Sequence, residues 1–113
     1  MTHVTDTSSL DGLRDRLLRF VADRQWEPYH TPKNLAMALA GEVGELLAEL
    51  QWLTPEESVA VVTADPEAAA RIRSELADVT NYLVHLAMAL DVDLVANAHY
   101  KLDEVEVRYP PGV

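Results

Sequence analysis

The sequence predicts an all-α fold: a four-helix-bundle-like domain with one extra short helix. Three observations carry that prediction. Apolar residues recur at helical spacing along most of the chain. The apolar vocabulary is Leu, Ala and Val, with a single Phe, and 4 glycines leave little turn material for an all-β design. Helix start signals recur after short connections, and main helices joined that way pack as a bundle.

The elements follow in order. Residues 1–8 are polar and are expected to fray, leaving 9–113 as a single domain. From Ser9 to about Trp26, Leu10, Leu13, Leu17 and Phe20/Val21 keep helical spacing, and Pro28 ends the run. Thr31 and Pro32 read as N-cap and first helical residue of a second helix reaching about Leu53. Thr54-Pro55-Glu56-Glu57 repeats the signal, with Glu57 placed to close a capping box, and opens a short helix to about Thr63. Asp65-Pro66 starts the third long helix, to about Leu90. Asp93 caps the last, from Leu94 to about Arg108, and Pro110-Pro111 stops it. Leu39, Val43, Leu46, Leu50 and Leu53 on the second helix form an apolar seam. Ile72, Leu76, Val79, Leu83, Leu86 and Leu90 form another on the third, so both helices should pack lengthwise against neighbours. No repeat, low-complexity tract or long linker divides the chain.

Composition narrows the function classes. With 19 acidic and 9 basic side chains, the formal charge is −10. A field of that sign repels polyanions and argues against a nucleic-acid polymer as partner. It is compatible with a small phosphorylated ligand that arrives with Mg²⁺, because the metal reverses the local sign. The absence of cysteine excludes disulfides and thiolate zinc sites. No apolar run approaches about 20 residues, so no membrane span is expected. The polar start lacks a signal-peptide core, which makes a cytoplasmic protein the expectation. A chain this short buries a modest core, and self-assembly would add to its stability.

The chemistry lies one position before each seam. On the second helix that stripe is Glu42, Glu45, Glu49 and Trp52; on the third it is Glu75, Asp78, Tyr82 and His85. One residue is a turn of about 100°, so each stripe flanks its seam. Residues three apart share a face with Cβ atoms roughly 5–6 Å apart, where like charges repel. A hard divalent cation offsets that repulsion, and Mg²⁺ takes oxygen ligands while keeping waters that a phosphate can replace. On spacing alone two readings stand: ordinary solvated helix acids, or a four-carboxylate metal site. A di-iron bundle would want Glu-x-x-His motifs, and none of Glu42, Glu45 or Glu75 is followed three residues on by His. Around the acids, Trp26, Tyr29, His30, Trp52 and Tyr82 are suited either to core packing or to stacking on a nucleobase. Lys101 and Arg108 lie seven apart on the last helix, as surface cations or phosphate contacts.

Several strings together resemble a known family. They are Trp26 through His30, Pro32 through Leu35, Gly41-Glu42-Val43-Gly44-Glu45-Leu46, Gln51-Trp52, Glu75-Leu76-Ala77-Asp78-Val79 with Tyr82-Leu83, Lys101-Leu102-Asp103 and Arg108-Tyr109-Pro110. In order and spacing they are similar to the MazG-like all-α nucleotide pyrophosphohydrolases, in particular the dCTP pyrophosphatase type, over about residues 10–110. The resemblance implies hydrolysis of a nucleoside triphosphate to the monophosphate and pyrophosphate, for nucleotide-pool housekeeping. It implies Glu42, Glu45, Glu75 and Asp78 as Mg²⁺ ligands and catalytic groups, and a substrate site formed by Trp26, His30, Trp52, Tyr82 and Lys101. It also implies a homo-oligomer, a tetramer built as a dimer of dimers, or a dimer. Two positions depart from the pattern: Leu17 stands where the vertebrate branch has a substrate-contacting His, and Val105 where many members have Asn. dUTP, dTTP or a damaged purine triphosphate is the alternative substrate, and a non-catalytic acidic helical interaction module is the alternative class.

Overall fold

Each helix begins where a short polar side chain can accept a free backbone N–H, and this sets the element order. The computed structural model describes residues 6–112. Helix α1 (Leu10–Arg24) starts at Ser9, whose hydroxyl accepts from the Gly12 amide at 3.0 Å. Gly12 is buried beneath the Asp6 carbonyl, where a Cβ would collide with backbone. Helix α2 (Pro32–Leu50) is capped by Thr31, α3 (Pro55–Ala64) by Thr54, α4 (Pro66–Ala89) by Asp65 and α5 (Leu94–Arg108) by Asp93. Proline at the first helical position of α2, α3 and α4 sacrifices no hydrogen bond there. The expected capping box is present: the Thr54 hydroxyl accepts from the Glu57 amide at 3.1 Å, and the Glu57 carboxylate accepts from the Thr54 amide at 2.8 Å. Asp65 ends α3 and caps α4, so no loop separates them.

The helix ends fall short of expectation in two places. α1 stops at Arg24 because Gln25 adopts a left-handed conformation (φ 57°, ψ 43°). The Gln25 amide then donates to the Ala22 carbonyl and the Trp26 amide to the Val21 carbonyl, each at 3.1 Å, a Schellman closure. This frees Trp26 to precede a single 3-10 turn, Glu27–Tyr29. α2 stops at Leu50 rather than about Leu53, and the Leu53 amide turns back to the Leu50 carbonyl ahead of Thr54-Pro55. α4 ends with a second Schellman closure, Asp91 at φ 53° and the Val92 amide on the Ala87 carbonyl at 2.9 Å. The frayed start expected for 1–8 falls largely on 1–5, outside the described residues. Residues 6–8 form a turn in which Asp6 accepts from the Ser8 amide and hydroxyl.

Among the described residues there is no strand, so the chain is all-α. α4 is the central element. α2 lies along it, α3 packs against it, and α1 faces its later turns. The core is correspondingly slim: Val21, Leu35, Val61, Ala68, Ala69, Val84 and Ala87. The seams differ in part from expectation. Glu42, Glu49, Glu75 and Asp78 lie half-buried, as do seam residues Leu39, Leu46, Leu50, Leu53, Ile72, Val79 and Leu86, while Val43, Leu76, Leu83 and Leu90 stay exposed. α5 leaves α4 at 97° and buries none of its residues. No single described helix is long and apolar enough to cross a membrane.

Candidate active site

Side-by-side packing of α2 and α4 brings together acids 33 and 36 positions apart in sequence. Glu42 of α2 meets Glu75 and Asp78 of α4, with one carboxylate oxygen from each lying within 4.8 Å of the others. All three are half-buried. One oxygen of Glu42 and one of Glu75 are sealed from solvent without a hydrogen-bond donor. A buried acceptor left unpaired is costly, and a proton or a cation shared within a cluster made solely of acceptors offsets that cost. A proton is favoured here: hydrogen bonding with Glu42, then with Glu45, then burial and the neighbouring charges, push Glu75 up to about 7. Three oxygens converging with no nitrogen or sulfur form a donor set for a hard divalent cation.

The other acids divide by role. Glu45 is exposed and outside the three-oxygen cluster, yet within hydrogen-bonding reach of Glu75. Glu49, one turn on, accepts from the Arg71 guanidinium at 2.7 Å and ties α2 to α4. The glycines that bracket Glu42, Gly41 and Gly44, face open space: a Cβ on either would meet nothing within 4 Å.

Beside the acids runs a series of rings. Phe20 of α1 meets Trp26 edge-on (centroids 5.6 Å apart), Trp26 is tilted toward His30 (6.5 Å), His30 stands at 88° to His85 (4.8 Å), and His85 neighbours Tyr82 (6.2 Å). The Schellman closure of α1 places Trp26. Asn34, whose side-chain amide donates to the Tyr29 carbonyl at 3.1 Å, ties the 3-10 turn to α2 and so places His30. These rings wall a cavity of about 450 Å³ that reaches Asp78, with Leu17, Arg16 and Asn81 also lining it. Burial, then the charge of His30, hold His85 below its usual value, so its ring is neutral near pH 7.

Of the residues singled out from sequence, Glu42, Glu75 and Asp78 converge, Glu45 borders them, and Trp26, His30 and Tyr82 wall the adjoining cavity. Trp52 and Lys101 are not brought in. Trp52 lies in the turn after α2 and is 85% exposed, and Lys101 on α5 pairs with Glu104 at 3.0 Å. Val105 is also on α5, away from the cavity lining. Arg16, Phe20 and Asn81 were missed as site residues, and His85 was noted only as the end of its stripe. Asn81 could have been found, three residues after Asp78 on the same face. Arg16 and Phe20 carry no local signal, because only the packing of α1 on α4 brings them there.

No protein-family model matches the chain. It is 40% identical over 102 residues to dCTP pyrophosphatase 1 of Bos taurus and 42% identical over 102 residues to that of Homo sapiens. Each match covers 90% of this chain and, respectively, 60% and 59% of the relative, so the chain spans about three-fifths of the length of the curated relatives it matches. A solved structure, a pyrophosphatase from Archaeoglobus fulgidus, superposes with a TM-score of 0.82 at 32% identity, covering 97% of this chain and 98% of that one. That likeness runs nearly end to end in both chains and carries sequence as well as shape. The chain therefore belongs to the MazG-like all-α pyrophosphatase family.

Proposed function

We propose that this chain hydrolyses a nucleoside triphosphate, foremost dCTP or a base-modified relative, to the monophosphate and pyrophosphate with Mg²⁺. The observation that carries the proposal is the shared position of Asp78, which belongs both to the unsatisfied acid cluster and to the lining of the ring-walled cavity. A metal held at the cluster would meet phosphates while the rings meet a base. The relatives named dCTP pyrophosphatase 1 support the choice of base.

Glu42, Glu75 and Asp78 would hold the ion, with Glu45 completing the four-acid set. Bound there, Mg²⁺ supplies Lewis-acid polarisation and neutralises developing charge. Glu45, the carboxylate least engaged with the cluster, orients a water and accepts its proton. The water oxygen bonds to the α-phosphorus as the α-phosphorus–bridging-oxygen bond breaks, and pyrophosphate leaves. Trp26, His30 and Tyr82 hold the base by stacking and exclude water from its faces.

An assembly belongs to the same proposal. Exposed apolar residues on α4 and the detached α5 are suited to a second copy of the chain, as a dimer or a dimer of dimers. Trp52 and Lys101 would reach the substrate only within it. The activity test gives purified protein dCTP with and without Mg²⁺ and resolves the products. Monophosphate plus pyrophosphate is expected, with Mg²⁺ required. Glu42→Ala and Asp78→Ala should each lower kcat by at least about a hundredfold while the fold persists. Orthophosphate as product, or full activity in either variant, would sink the mechanism.

A further inference from the structure

Behind the base cavity lies a second, smaller one of about 260 Å³, one turn further along α4 against Met88 and Ala89 and facing Leu18 and Val21 of α1. Two residues line both cavities, His30 and His85. Their rings form the partition, a single edge-to-face contact with centroids 4.8 Å apart. The two halves of this wall differ in firmness. His85 projects from the middle of α4, is 8% exposed and is the buried polar side chain among the described residues. His30 stands on the connection after the 3-10 turn, and its ring meets Trp26 on one side and His85 on the other.

The wall's position suits a limit on ligand size. Asp78 and His85 are seven residues apart on one helix, about 10 Å along its axis. With phosphates held at Asp78, sugar and base must fit into that distance before meeting the His85 ring. We propose that His85 is a specificity-determining residue: its ring, with the His30 ring it positions, closes the base cavity at a depth that admits a one-ring pyrimidine and turns away a two-ring purine. This rests on the nucleotide reading above. The space a purine would need exists already, on the far side of the wall.

His85→Ala removes the firm half of the partition, joins the cavities and leaves the His30 ring supported on the Trp26 side. Steady-state kinetics with dCTP, dTTP, dATP and dGTP give the test. The pyrimidine-to-purine ratio of kcat/KM should fall about tenfold or more in His85→Ala, mainly through a lower KM for purines. His85→Phe, which puts a flat ring back, should restore most of the ratio. His30→Ala, made in the connection rather than in a helix, should move the ratio in the same direction. A ratio within twofold of wild type in folded His85→Ala overturns the proposal, as does an equal loss for all four substrates.

A second measurement needs no turnover. Indole titrated into the protein and followed by NMR should shift the His30 ring resonances at about tenfold lower concentration in His85→Ala than in wild type, because an enlarged apolar cavity takes up a planar apolar ligand more readily. Indole binding to neither protein, or equally to both, overturns the partition. A wild-type protein that hydrolyses none of the four triphosphates instead defeats the function proposed above, and the indole arm still reports on the wall.

Discussion

Glu75 shows how one carboxyl couples the site to stability. Its folded-state value is raised to about 7 from 4.5, so the folded chain holds a proton there that the unfolded chain has released. The stabilisation is fully present below about pH 4.5 and is lost as pH rises through about 7. Without divalent cations, the melting temperature should therefore fall between pH 5 and pH 8. Glu75→Gln should flatten that fall, and Mg²⁺ at pH 8 should reverse it in wild type only. An identical slope in Glu75→Gln would refute the assignment. His85 has the opposite sign. Its value is depressed, so its contribution is present above about pH 6.5 and lost as pH drops below it. At this scale the sequence was informative wherever residues one turn apart share a helix face: Glu42 with Glu45, and Glu75 with Asp78 and Tyr82. It was silent on Arg16 and Phe20, which join the cavity only through the packing of α1 on α4.

Helix beginnings were legible because they are written in single residues. Thr31, Thr54, Asp65 and Asp93 each cap where their side chains and the following residues predict. Helix ends were less legible, because two of them close through left-handed residues other than glycine, Gln25 and Asp91. Glycine is the usual signal there, and neither position offers it. A left-handed Gln carries a steric penalty that glycine avoids. Gln25→Gly should thus stabilise the chain by about 0.5–1 kcal/mol, or about 2–4 °C in melting temperature, read by circular dichroism. Asp91→Gly should gain less, because Asp tolerates that conformation better. The seams were legible in part: α2 does pack lengthwise along α4, and most seam residues are half-buried. Periodicity identifies a helix's apolar stripe but not its neighbour, and within one chain Val43, Leu76, Leu83 and Leu90 of the seams stay exposed.

The whole molecule is more open than its length suggests. Its radius of gyration is 17.3 Å, against about 13 Å for a compact chain of this size. Among the described residues no large side chain is fully buried, and Leu83, Leu90, Val95 and Leu102 stand in the open. The sequence located α5 as a helix, but its 97° departure from α4 could not be read from a four-residue connection. On the assembly proposed above, light scattering should give a multiple of 12.6 kDa. Leu102→Glu, at a position 52% exposed in the single chain, should shift the mass toward the monomer without unfolding it. A monomeric wild type at micromolar concentration would overturn the assembly. The outstretched α5 then has a thermodynamic consequence. A chain that finds its missing contacts on another copy is stabilised by mass action, so its melting point rises with its own concentration. Dilution would act on it as a denaturant does, and turnover per chain would fall in the same range in which the protein loosens.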